Sequence, residues 1–184
     1  MDISDIIMEM DNAALKDEWL ARTVAHIDRV KKYGRKIGIT GDFNDHDADK
    51  LDELADDYCL LLKKNKFGGA NIKDSTAGLT EDEAARLNAA TFKHITNNPH
   101  HPEYWCDIKT FDRSNPPMGL ACYAMPYEAL EEMCADWCAT AEEFGTNTPY
   151  EWFKKTVPSR WVFDDHQLEF IDKTLHKMWE EYNA

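Results

Sequence analysis

The stretch NAALKDEWLARTVAHIDRVKKYGRK, residues 12–36, decides the fold class. Leu15, Trp19, Thr23, His26, Val30 and Tyr33 recur at steps of three and four. That repeat lines one face of an α-helix, and Gly34 and Gly38 mark its exit. The same period returns along the chain. Leu51, Leu54, Tyr58, Leu61 and Leu62 make a second apolar stripe between Asp47 and about Lys64. The segment 65–79 reads as a mobile loop, because Gly68-Gly69 and Ala77-Gly78 break every pattern. Thr80 with Glu83 three residues on is a capping box, so a helix starts there with Ala84, Leu87, Thr91 and His94 on one face.

Pro99 and Pro102 forbid that helix from continuing through NNPHHP. Residues 106–124 read as irregular. Pro126 opens a further helix with Leu130, Met133, Trp137, Thr140 and Phe144 inward and Gly145 as its stop. A short helix around Glu151 to Lys155 and a last one from about Asp165 to Glu181 complete the set. No run alternates as a half-buried strand would. The chain is expected to be all-α, about five to seven helices in a single domain spanning residues 1–184.

Composition narrows the function classes. The 184 residues are 43% hydrophobic and 11% aromatic, with six Trp, enough to bury a sizeable core. No apolar run is long enough to span a bilayer. MDISDIIMEMDNAALKDEWL carries acids where a secretory signal carries a basic region. The five Cys form no CxxC pair and read as buried thiols, Cys134 and Cys138 near one another on a helix. A cytoplasmic chain is expected. The net charge of −14 opposes extended nucleic-acid binding, which needs a basic surface. It leaves a small phosphorylated ligand open, since a bound cation reverses the local field.

The histidines carry the chemistry. His26 sits among apolar helix positions, His46-Asp47 heads the second stripe within DFNDHDADKLDEL (residues 42–54), and His94 ends the third helix. His100 and His101 fall in the proline-bounded loop, and Asp136 lies beside the stripe of the Pro126 helix. Each has a plain structural reading. A lone helix His is commonly a hydrogen-bonded core residue, HHP in a loop is commonly surface, and Asp136 could accept the Trp137 indole N–H. A carboxylate beside a core stripe is costly unless paired or bound to a cation. Imidazole and carboxylate together suit Mn, Fe, Ni, Co or Zn, with Mg admitted by an oxygen-richer site. His166 and His176, on the last helix, read as structural.

The order His26, His46-Asp47, Asp136 resembles the HD-domain superfamily of metal-dependent phosphohydrolases. The segments HDADK, HITNNPHHPEYW, EEMCADW and EEFGTNTPYEWF resemble more closely a small, largely uncharacterised family of bacteria and their phages, over roughly residues 19–180. The resemblance implies an HD-like helical bundle. It implies His26, His46, Asp47 and Asp136 as ligands of a first ion, and His94, His100 and His101 as candidate ligands of a second. The expected catalytic residues are Asp47, Lys50 and His94: an activated water attacks a phosphoryl group, Lys50 neutralises the phosphate, and His94 positions the nucleophile. Lys50, Arg22, Arg29 and Tyr104 are the candidate substrate contacts. For Arg22 and Arg29 pairing with surface acids is the first reading and a phosphate contact the second, and Tyr104-Trp105 are read first as the loop's anchor and second as a stack for a base.

The expected partner is a small phosphorylated molecule, a nucleotide first, with a homodimer admitted. Two departures stand out. His94 and His100 lie six residues apart, closer than the branches with two or three ions place their equivalents, and Lys50 occupies the position where small HD nucleotidases often carry an acid. Two other classes remain open: a di-iron oxygenase of HD type, and a non-catalytic helical binding protein with a structural metal.

Overall fold

The computed structural model describes residues 3–39, 43–67, 78–145 and 147–180, with side chains left out of the description at 3–11 and 65–67. The chain is all-α. Helix α1 (Ile3–Lys36) is followed by three short pieces, α2 (Ala48–Leu51), α3 (Ala55–Tyr58) and α4 (Leu60–Phe67). Helix α5 (Glu81–Asn97) leads into a 3-10 turn over Pro102–Trp105, and α6 (Tyr127–Phe144), α7 (Pro149–Arg160) and α8 (Asp165–Glu180) complete the order. Two-residue strands β1 (Leu120–Ala121) and β2 (Trp161–Val162) pair in parallel. Among the described residues no helix is long and apolar enough to cross a membrane.

The boundaries follow local chemistry. Thr80 and Glu83 close the expected capping box: Thr80 N–H donates to Glu83 Oε2 at 2.9 Å, and Glu83 N–H to Thr80 Oγ1 at 3.2 Å. Thr148 and Glu151 form a second box (2.9 and 3.3 Å). It starts α7 at Pro149 and carries it to Arg160, longer than the expected 151–155. Helix α6 ends at Gly145 in the left-handed region, φ 62°, where glycine has no Cβ to clash.

The stripe after Asp47 breaks into three pieces rather than one helix. Asp52 and Glu53 fall where α2 ends, a position at which the helix dipole disfavours negative charge, and Asp52 leaves helical geometry at φ −122°, ψ −98°. Phe144, expected inward, is 57% exposed, because it lies in the last turn of α6 beyond the packed core. Residues 68–77 of the expected loop, and Glu181 at the expected end of the last helix, lie outside the described residues.

The chain packs as two compact units. The first comprises Met1–Val24, Asp47–His94 and Thr110–Pro116. Its core gathers Leu15 and Trp19 of α1, Leu54, Tyr58 and Leu62, and Leu87 of α5. Trp19 stacks on Tyr58, with ring centroids 5.5 Å apart, and donates its indole N–H to Lys50 O at 3.1 Å.

The second unit comprises Ala25–His46, Ile95–Lys109 and Pro117–Ala184. Val30, Leu130, Ile171, Leu175 and Met178 are fully buried there, and α6 packs along α8. Buried Gln167 holds the chain ahead of α6, donating to Met125 O at 2.9 Å and Cys122 O at 3.3 Å. All five cysteines are free thiols, Cys134 and Cys138 both buried.

Candidate metal centre

In the second unit, the face of α1 that carries His26 meets a stripe of carboxylates on α6. Residues 132, 136 and 143 share that stripe by helical spacing. His26 Nε2 lies 3.0 Å from Asp136 Oδ1, and its Nδ1 lies 3.8 Å from Glu143 Oε2. His46 is buried, with Nε2 4.0 Å from Asp136 Oδ1 and Nδ1 2.9 Å from Glu132 Oε1. One ligand atom each from His26, His46 and Asp136 lies within 4.8 Å of the others. Two imidazole nitrogens and a carboxylate oxygen so gathered fit a divalent transition ion. The cluster could hold one.

Glu132 serves a further imidazole. His100, buried in the proline-bounded loop, places Nδ1 3.3 Å from the same Oε1, and its ring centroid is 4.3 Å from that of His46. Burial alone would push the Glu132 carboxyl up, but the hydrogen bonds from His100 and His46 outweigh it and bring the group down to about 2. Glu132 is therefore ionised and acts as acceptor for both rings.

The boundary between the two units runs between His46 and Asp47. In the first unit Asp47 and His94 are buried, and Asp47 Oδ1 lies 3.2 Å from His94 Nε2. His94 Nδ1 lies 2.9 Å from both carboxylate oxygens of Asp49. With Nδ1–H directed at Asp49, Nε2 is left on the Asp47 side as a lone-pair donor, the usual orientation of a metal-binding imidazole. Asp47, Asp49 and His94 form a second group that could hold an ion.

Asp47 is the one described non-glycine residue at positive φ, 56°, a conformation that costs energy and persists where the surroundings enforce it. Lys50 donates to Asp47 Oδ2 at 2.9 Å and lies 5.3 Å over the Tyr58 ring, whose edge meets His94. Burial pushes the Tyr58 hydroxyl up, so it stays a neutral hydrogen-bonding group.

The other expected residues divide. Arg29 pairs with Glu143 at 2.9 Å, which assigns it to the α1–α6 contact. Arg22 lies 5.7 Å over the Trp19 ring. Trp105 donates its indole N–H to Pro99 O at 2.8 Å and so anchors the loop, whereas Tyr104 is 42% exposed. His101 is half-buried, its ring 4.3 Å from that of His100. His176 Nδ1–H donates to Asp172 O (2.8 Å) and the ring stacks on Tyr150, a structural use.

Sequence reasoning missed Glu132, Asp49 and Glu143. Glu132 was open to it, standing one turn before Asp136 on the same helix. Asp49 was hidden among six acids in thirteen residues.

A family model described as a family of unknown function (DUF5662) matches residues 15–177. No curated protein and no solved structure matches the chain.

Proposed function

We propose, for a chain that belongs to the family of unknown function DUF5662, that it is a metal-dependent phosphohydrolase of HD-domain type. Its substrate in this reading is a small phosphorylated molecule, a nucleotide first. The observation that carries the reading is the convergence of His26, His46 and Asp136 from three separate parts of the chain on one point. Two imidazoles, that of His46 buried, and a carboxylate so gathered find a common use in holding a cation.

A divalent cation supplies, when bound, a water acidified toward neutrality and charge neutralisation at a phosphoryl oxygen. His26 and His46 would hold it through Nε2 and Asp136 through Oδ1. Three protein donors leave coordination positions for water and substrate, the pattern of a catalytic rather than a closed structural site. Within the first unit, Asp49 accepts the His94 Nδ1–H, and Lys50 and Arg22 would be the cationic contacts of a phosphate held there. Asp47, Asp49 and His94 would hold a second ion in the two-ion form of the reading. Tyr104, exposed, is the candidate surface for a nucleobase.

The test begins with metal analysis of protein purified without a chelator or His tag. Phosphate release from a panel of nucleotides with Mn²⁺ follows, with His46→Ala as control. One or two ions per chain, and release abolished in the variant, are the expected results. Iron with oxygen uptake and no phosphate release would replace this reading by the oxygenase. A biological effect that survives His46→Ala/Asp47→Ala would replace it by the binding module.

A further inference from the structure

Glu132 was not among the residues expected to act, and its place is specific. Its Oε1 lies 2.9 Å from His46 Nδ1 and 3.3 Å from His100 Nδ1. The two rings, one before α2 and one in the loop after α5, converge on a single oxygen with centroids 4.3 Å apart. Glu132 sits one helical turn before Asp136, so the backbone that delivers the ligand carboxylate also delivers this one.

Resting on the metal centre proposed above, we infer that Glu132 is its positioning residue: it holds the Nδ1–H of His46 and His100 together and turns both Nε2 atoms outward as donors. Free imidazole favours the opposite tautomer, with the proton on Nε2, which leaves no lone pair there for a cation. A carboxylate oxygen placed 2.9 Å from Nδ1 reverses that preference and raises the basicity of Nε2. His46 Nε2 is accordingly the atom that faces Asp136. The same bond ties the ring orientation of His100 to that of His46. A carboxylate shared by two imidazoles also fixes the loop against α6. A purely structural role would need that tie and the same Nδ1–H, but would not couple Glu132 to the affinity for a metal ion.

The test uses the full chain with Co²⁺ as probe, as wild type, E132Q and E132A. Co²⁺ affinity and ligand-field absorption are measured, together with the ring-nitrogen NMR pattern of the metal-free histidines. The expected wild-type result is Nδ1–H at both His46 and His100 and a His-ligated Co²⁺ spectrum. E132A should bind Co²⁺ about 10–100-fold more weakly and move both rings toward Nε2–H. E132Q, which keeps an acceptor but loses the charge, should fall between, and carries the test if E132A fails to fold. Wild-type affinity and unchanged tautomers in both variants would overturn the assignment to Glu132. A wild-type chain that takes up no Co²⁺ would overturn the metal centre itself. The metal-free tautomers would then still show whether Glu132 governs the two rings.

Discussion

Gly34 and Phe43 approach so closely that a Cβ on Gly34 would stand 2.6 Å from Cε2 and 2.8 Å from Cδ2 of the ring. Gly34 lies inside α1, and Phe43 is buried in the second unit's core. Two effects compete in Gly34→Ala. Helix propensity favours alanine by about 1 kcal/mol, whereas forcing a methyl into a packed aromatic costs about 1–3 kcal/mol. The clash should win, with a net loss of about 1 kcal/mol and a fall in Tm of roughly 2–4 °C. The same substitution in a Phe43→Leu background should be neutral or stabilising, so a double-mutant cycle by urea unfolding checks the cause.

Glu103 is almost wholly buried, and its Oε1 accepts from Arg160 Nη2 at 3.0 Å and from Trp161 Nε1 at 3.1 Å. This joins the 3-10 turn after His101 to the end of α7. Arg160→Ala leaves a buried carboxylate with only the indole as donor and should cost about 3 kcal/mol. Glu103→Gln keeps an acceptor for both and should cost about half of that. Wild-type stability of Glu103→Gln in urea unfolding would show that the charge contributes nothing.

Acid should weaken the contact between α1 and α6. Glu142 Oε2 accepts from Lys32 Nζ at 2.6 Å and Tyr33 Oη at 2.7 Å. Burial pushes its carboxyl up, but the bonds from Lys32 and Tyr33 outweigh that and hold it below the ordinary value of 4.5. The unfolded chain therefore binds the proton more readily. This contribution to stability is present above pH 4.5 and disappears as pH falls through the lower, folded value. Unfolding free energy compared near neutrality and at about pH 3 should fall more steeply in wild type than in Glu142→Gln.

Metal removal should leave a folded chain. Two hydrophobic cores are complete without the His and Asp groups, so a chelator-stripped protein should keep its helical circular dichroism. Adding Mn²⁺ should then raise Tm, by the equivalent of about 2.7 kcal/mol when free ion reaches roughly 100 times Kd. Asp136→Asn should remove most of that gain. Collapse of the helical signal on chelation would instead mark the ion as structural.

The thiols should be slow. Burial pushes the pKa of Cys59, Cys106, Cys122, Cys134 and Cys138 up, and the thiolate is the reactive form. Iodoacetamide near neutral pH should label the native chain far more slowly than the chain in denaturant. Rapid single labelling of the native protein would show a thiolate that these surroundings do not predict.

Helices were legible in the residues because their signals are local. The three-and-four spacing of Leu15 to Tyr33, the Thr80–Glu83 box, the Pro99–Pro102 stop and the Gly145 exit each act within a turn or two of chain. The break after α2 was not legible: Leu51, Leu54 and Tyr58 keep the helical spacing, and only backbone geometry at Asp52 shows that the chain leaves the helix.

The candidate centre divides the same way. Which residues can ligate was written in the histidines and in Asp136, whose carboxylate beside a core stripe demanded a partner. Who meets whom depends on packing between distant segments, and only the tertiary structure decided it. It brought His26 and His46 to Asp136, gave Arg29 to Glu143 and buried His100. It also singled out Glu132 and Asp49 from a surplus of acids. A sequence lists donors; the direction in which each imidazole turns its nitrogen is set by the oxygen packed behind it.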